Sequence, residues 1–372
     1  MNPRSPENTP NLRVFPDPGS NVGQVSNLSN VEQISNLSNV GQISNPSKQR
    51  QVGNLSHGSL SLVLHADDFG MNRSVTDGIL FGFRSGLLTS TSLLSNAPDA
   101  DRAVSLWKQL LQVAEHPTSA NFPSLDARRR LGDHILPFDL GVHLNLTQGR
   151  PLTGKEYPRR LLDRESCFPG VFSLFAHLRK CDAAELDRVK AELSRQIEFA
   201  LERGLRPTHL NGHQYIEMLP AISAMMPELL DRHGIRVVRV AEEPHLFKTT
   251  LVASHSPPKW ALANVKRFFA RRFHALMDRI GIAHPQHFHG TAHAGHVDLN
   301  LMKIYLKHES NCIEVGLHPA LESSKTFTDP AWADPLAAAR PLELQLLTGR
   351  ELLEKLETDG IRLGRLSKLA AA

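Results

Sequence analysis

The sequence predicts an α/β fold: a parallel sheet with helices packed outside it, closed as a barrel or open and doubly wound. Three observations carry this. Short apolar runs alternate with stretches of helical apolar spacing from about residue 60 to the C-terminus. Polar and titratable residues gather at the carboxyl ends of those runs, where α/β barrels keep their functional groups. The 372 residues also suffice for one barrel of about 250–300 residues with a separate extension.

In chain order, residues 1–58 stand apart. A nine-residue repeat runs through them as NVGQVSNLS (21–29), NVEQISNLS (30–38) and NVGQISNPS (39–47). Its apolar residues are few and small, so burial does not offset the cost of ordering the backbone. A disordered low-complexity tail is expected there, and one catalytic domain over 59–372. Ser61-Leu62-Val63-Leu64-His65 reads as a buried strand and residues 66–70 as a loop. Residues 74–86 have helical spacing and stop at Gly86. Strands at 88–94, 139–146, 207–211, 235–240 and 313–317 continue the alternation. So do helices near 183–203, 219–233, 260–280 and 341–358. Residues 115–137, with Pro117, Pro123 and Pro137 around Arg128-Arg129-Arg130, read as an exposed insertion. The 260–280 helix is amphipathic and basic. One reading packs its apolar side on the barrel with its charges in water; a sharper one makes it a peripheral contact with a membrane or an anionic lipid substrate.

Composition narrows the function. Hydrophobic residues at 41% and charged residues at 22% exclude a wholly disordered, collagen-like or coiled-coil chain. A net charge of +4 is too small to imply nucleic acid as a partner. No apolar run reaches the roughly 18 residues of a membrane span, and the first residues carry no secretory h-region. A cytoplasmic protein is expected, peripheral to the inner membrane face if the basic helix makes such a contact. Cys167, Cys181 and Cys312 are odd in number and form no C-x-x-C, which argues against a disulfide framework or a cysteine zinc site. Histidine is abundant, with 19 copies.

Four strand ends carry the chemistry. Asp67-Asp68 follows the first apolar run; alone, the pair also reads as a helix cap with a solvated neighbour. His143 interrupts GVHLNLT and alone also reads as a hydrogen-bonded core histidine. In PTHLNGHQ, His209, Asn211 and His213 share one face if the strand stays regular. His318 ends EVGLHP, where Pro319 stops the strand. Together they set a carboxylate pair and several histidines at the ends of different strands, which points to a divalent metal site. Zinc, manganese, iron, cobalt and nickel suit imidazole and carboxylate; magnesium suits imidazole less. Such a metal supports amide or ester hydrolysis without a serine or cysteine nucleophile. No G-x-S-x-G, P-loop, G-x-G-x-x-G or H-E-x-x-H sequence is present, so the corresponding enzyme classes lose support.

These segments resemble the YdjC-like carbohydrate deacetylases, the ChbG/HpnK family. The resemblance rests on HADDFGMNRSVTDGI (65–79), GLLTSTSLLSNAP (86–98), GVHLNLTQGRPL (141–152), PTHLNGHQYIEMLP (207–220), EVGLHPA (314–320) and residues 340–363. It implies a distorted (β/α) TIM-like barrel and a divalent metal. It further implies Asp68, His143 and His213 as metal ligands, Asp67 as the base toward a metal-bound water, and His318 as the acid for the leaving amine. His209 receives a supporting role. Asn211, Gln214, Tyr215 and Glu217 depart from the chitooligosaccharide-type pattern; Asn211, the basic aromatic helix at 260–280 and Val-Arg-Val at 238–240 are similar to the hopanoid-associated subgroup. The histidine-rich segment 288–296 is read as a substrate-side loop or a spare metal site. The expected activity is removal of an N-acetyl group from an oligosaccharide or glycolipid. The rivals are hydrolysis of another amide or ester, such as a lipid glycoside, and a non-catalytic metal- or sugar-binding module. A homodimer is expected by analogy with other barrel hydrolases.

Overall fold

The computed structural model describes residues 60–244, 257–307, 310–322 and 329–371. The nonapeptide repeats lie outside them. The centre is β1 (Ser61–Phe69), whose Leu62, Val63 and Leu64 are fully buried. An apolar run with no polar face fits only between two partners in a sheet covered on both sides. Those partners are β2 (Ser90–Leu93) and β6 (Cys312–Leu317), both parallel to it. β3 (Asp139–Leu144) and β4 (Leu210–Gly212) extend the sheet beyond β2, and β5 (His287–His289) lies outside β6. β7 (Arg362–Leu363) pairs with the first residues of β1, where β2 does not reach. Single parallel bridges, Leu210 to Val238 and Val237 to Ala283, carry the curl from β4 round toward the segment that leads into β5. The expected distorted barrel is therefore a curled parallel sheet whose closing members are bridges rather than strands.

The helices follow local signals. Asn72 caps α1 (Arg73–Arg84) by accepting from the Val75 N–H. Helix α2 (Ala100–Glu115) follows β2, and α3 (Leu125–Arg130) precedes β3. Helix α4 (Val171–Leu178) stands before α5 (Ala183–Glu202), which opens on a capping box between Asp182 and Glu185. Helix α6 (Pro220–Arg232) starts on a proline, and α7 spans Pro257–Ile280. Helix α8 (Leu299–Tyr305) precedes β6. The last helical stretch is two helices, α9 (Arg340–Thr348) and α10 (Arg350–Thr358), because Gly349 is extended between them.

Several expectations need correction. β1 runs four residues past His65, so Asp67 and Asp68 end a strand rather than sit in a loop. Residues 235–240 form bridges instead of a strand, since the peptide groups of Val237 and Val238 pair singly. The 115–137 insertion is not merely exposed. Arg128 is fully buried, donates to Phe83 O and Leu88 O at 2.7 Å each, and meets Asp133 at 2.6 Å. It ties the insertion to the C-terminal end of α1. In α7, Ala270, Phe273 and Met277 face the core, but Val265 and Phe268 are more than half exposed. Lys266 does not face open water; its Nζ lies 4.7 Å above the Tyr215 ring. No helix among the described residues is long and apolar enough to cross a membrane.

Candidate active site

The carboxyl end of the sheet carries the expected groups into one cavity of about 390 Å³. Asp67, Asp68, His143, His213 and His318 all line it. Each arrives from a different element end except the adjacent aspartates. Asp68 has φ +68°, a left-handed conformation that non-glycine residues rarely adopt. The turn after β4 is also left-handed, at Gln214 and Tyr215. Gly212 precedes it because a Cβ there would overlap Glu217 Oε2.

Asp68, His143 and His213 offer donor atoms that all lie within 4.8 Å of one another, and all three are buried. His213 Nδ1 is 2.9 Å and His143 Nε2 3.5 Å from Asp68 Oδ1. Asn211 fixes the His143 tautomer. Its amide Nδ2 donates to Asp67 Oδ1 (3.1 Å), so its Oδ1 faces His143 Nδ1 (2.9 Å) and accepts from it. The His143 Nε2 lone pair then points at a carboxylate oxygen, an arrangement that needs a proton or a cation between them. One carboxylate and two imidazoles, with one ring oriented from behind by an amide oxygen, fit a divalent transition metal.

Asp67 sits one layer away. Its Oδ2 accepts from Arg239 Nη1 at 2.7 Å, and Arg239 also reaches Glu314 at 2.7–2.8 Å. Burial would raise the Asp67 carboxyl, but Arg239 and the neighbouring histidines hold it well below the usual carboxylate range. Burial likewise opposes ionisation of Asp68, and Arg340 at 2.7 Å from its Oδ2, with His213, overcomes it. His318 Nε2 is 3.8 Å from Asp67 Oδ2, and its Nδ1 is 3.7 Å from Glu343. Burial would lower this imidazole, yet Glu343 and the two aspartates raise it above its ordinary value.

The remaining sequence expectations divide. His209 lies below the site under Gly141, edge-on to His65 at 5.0 Å, and burial holds it neutral. It lies in the layer beneath Asp68, His143 and His213. Within the segment 288–296, His289 and His293 are fully buried rather than facing the cavity. They lie 3.8 and 3.7 Å from Glu243, and only Ala294 of the segment reaches the cavity. His289 ends β5, and His293 lies in the turn that follows it, 3.0 Å from the Tyr305 hydroxyl. Four residues escaped sequence reasoning: Arg239, Glu314, Arg340 and Glu343. Arg340 and Glu343 stand three apart on α9, one facing Asp68 and the other His318, a same-face polar pair beside buried Leu344 and Leu347. The outer cavity walls are apolar: Val171, Phe172 and Phe175 of α4, and Val265 and Phe269 of α7.

Comparison with known proteins gives this arrangement relatives. The family model described as YdjC-like protein matches residues 61–358. A carbohydrate deacetylase of Clostridium beijerinckii is 25% identical over 308 residues, 82% of this chain and 98% of that protein. One from Geobacillus stearothermophilus is 29% identical, covering 78% and 96%. One from Homo sapiens is 28% identical, covering 85% and 93%. Among solved structures, an Enterococcus faecalis protein described as a candidate cellobiose-phosphate cleavage protein superposes with TM-score 0.58. It is 21% identical and the match covers 84% of this chain and 99% of that one, so it bears on the fold.

Proposed function

The chain belongs to the YdjC-like family, and from that premise we propose that it is a metal-dependent carbohydrate N-deacetylase acting on an N-acetylated sugar. The observation that carries the reading is the convergence, in one cavity, of the buried Asp68/His143/His213 cluster with Asp67 and His318. Asp68, His143 and His213 would hold the metal, which when bound polarises a carbonyl and lowers the pKa of water. Asp67, ionised, accepts the proton of the attacking water. His318, protonated at Nε2, gives a proton to the leaving nitrogen as the C–N bond breaks, so the products are acetate and the free amine. Arg239 keeps Asp67 ionised, and Glu343 keeps His318 protonated.

A second reading concerns the substrate. The apolar walls supplied by α4 and α7 favour a sugar linked to a lipid over a free oligosaccharide, in keeping with the hopanoid-associated subgroup suggested by Asn211. In that reading α7, with Phe268 and Val265 exposed, rests against the membrane's inner face.

Acetate release tests both readings. The metal-free protein is assayed with Zn, Mn, Co, Ni and Mg against N-acetylglucosamine, diacetylchitobiose and an N-acetylglucosaminyl lipid. Metal-dependent acetate is expected, with Asp67→Asn reducing turnover by about 10²–10⁴-fold while still binding metal. Loss of metal in Asp67→Asn would contradict the division of roles. Acetate from diacetylchitobiose but not from the lipid would overturn the second reading.

A further inference from the structure

Away from the cavity, the C-terminal end of α7 carries a second cluster. His274 and Asp278 stand four apart on one helix face. Gly281, at φ +71°, then turns the chain so that His284 folds back toward them. His284 Nε2 lies 3.0 Å from Asp278 Oδ1, and His274 Nε2 lies 3.5 Å from Asp278 Oδ2. The two rings are edge-on with centroids 4.5 Å apart.

The hydrogen bonds behind the rings decide what the front of the cluster can hold. His274 Nδ1 is 2.8 Å from Glu242 Oε2, and a carboxylate there can only accept. His284 Nδ1 is 3.0 Å from Pro285 O, which also only accepts. Both rings therefore carry their hydrogen on Nδ1. Both Nε2 lone pairs then face the Asp278 carboxylate, an acceptor-only triangle. Glu242 and Asp278 raise the His274 imidazole, so either a proton on Nε2 or a cation among the three groups satisfies that arrangement, and the donor geometry suits the cation. A carboxylate and a backbone carbonyl behind the two imidazoles is also how metal-bound histidines are oriented. Donors about 2.0–2.2 Å from a tetrahedral ion lie roughly 3.4 Å apart. The three donor atoms here lie within 4.8 Å of one another, so a small inward movement brings them to bonding distance.

We propose that His274, Asp278 and His284 form a peripheral site for a divalent transition metal of zinc's class, distinct from the Asp68 cluster. Asp278 is more than half exposed, so water completes the coordination and the ion exchanges with solvent. Its position gives it a task. It ties α7 to the segment at Ala283 whose bridge to Val237 continues the curl of the sheet. Through Glu242 it also ties α7 to the chain that follows Arg239. The other end of the described part of α7 supplies Val265, Lys266 and Phe269 to the cavity, so the ion fixes a cavity wall from behind.

Equilibrium dialysis of the full chain against micromolar Zn²⁺ at pH 7.5, with bound metal counted by mass spectrometry, tests the site. Asp278→Asn/His284→Ala is expected to hold one Zn²⁺ fewer per chain than wild type, and Asp278→Asn alone, which keeps the side-chain shape, fewer at the same free Zn²⁺. His213→Ala separately reports the Asp68 cluster. If wild type binds nothing there, the double variant goes from one ion to none, and the peripheral site still stands. Equal zinc content in wild type and the double variant, with both folded by circular dichroism, overturns the proposal.

Discussion

Glu217 offers the sharpest test of how this cavity is built. The side chain is fully buried in the turn after β4, against Gly212, and among the described residues neither carboxylate oxygen has a hydrogen-bond partner beyond its own backbone N–H. Burial pushes its pKa up from 4.5 to about 7; its own backbone N–H, then Arg239 and His143, pull it back only in part. The sign follows from linkage. The folded state binds this proton more tightly than the unfolded chain does, so the group opposes folding once it must ionise. The loss vanishes well below pH 4.5, grows as pH rises toward about 7, and is complete above that. At about 1.4 kcal/mol per pH unit, the displacement corresponds to about 3 kcal/mol. Glu217→Gln removes the titration and keeps the shape. The amide also lacks partners, so its own cost of about 1–3 kcal/mol is the same at every pH and cancels in a comparison across pH. Urea unfolding of chelator-treated wild type and variant, at pH 5 and pH 8, isolates the effect. Chelation matters because a cation at Asp68 would favour the ionised form. The variant is expected to gain about 2.5 kcal/mol relative to wild type between pH 5 and pH 8, since part of the loss is already present at pH 5. A difference between the two proteins that stays constant across that range would refute the reasoning.

Other consequences can be measured alongside. Glu343 raises His318, so Glu343→Gln should move the alkaline limb of kcat/KM to lower pH, because the proton needed by the leaving amine is lost sooner. An unmoved limb would assign it to another group. Arg128→Met leaves Asp133 buried with Arg365 as its remaining ion-pair partner and two carbonyls without their donor; chemical denaturation should show a loss of about 3–5 kcal/mol with the catalytic residues untouched.

The sequence made the central strands legible because their signal is burial itself. The first half of β1 reads as an apolar run, Leu62-Val63-Leu64, and in the structure the strand is enclosed by β2 and β6. β5 was not legible: in His287-Phe288-His289 a lone aromatic between two histidines looks like loop, and its membership of the sheet depends on pairing with β6. The same limit applied to α7, where apolar spacing could not distinguish Phe273, in the core, from Phe268, in water. The site residues at strand ends were readable because each interrupts an apolar run with a group that has chemistry. Arg239 and Glu314 interrupt such runs too, in VVRV and CIEVGL, but opposite charges in two segments 75 residues apart announce a pair only once the sheet brings them together. Arg340 and Glu343 carried a local signal, two charges three apart on a face that also holds Leu344 and Leu347.

Two adjacent buried carboxylates would ordinarily share a proton, since like charges at close range cannot both ionise. Here each has its own buried arginine. Arg239, balanced by Glu314, serves Asp67; Arg340, balanced by Asp334, serves Asp68. Both aspartates therefore stay ionised, which lets one bind a cation while the other remains a base. This separation predicts different outcomes for the two arginines. Arg239→Met with Glu314→Gln removes the cation beside Asp67 without leaving Glu314 as an unpaired charge, so the Asp67 pKa rises. Activity that needs ionised Asp67 must then be lost at a higher pH on the acid side, and the acid limb of kcat/KM moves upward. Arg340→Met with Asp334→Asn should leave the Asp67-dependent limb in place and change metal retention, because Asp68 is the carboxylate it touches. If both pairs moved the acid limb equally, the aspartates would be titrating as one unit and the assignment of separate roles would fail.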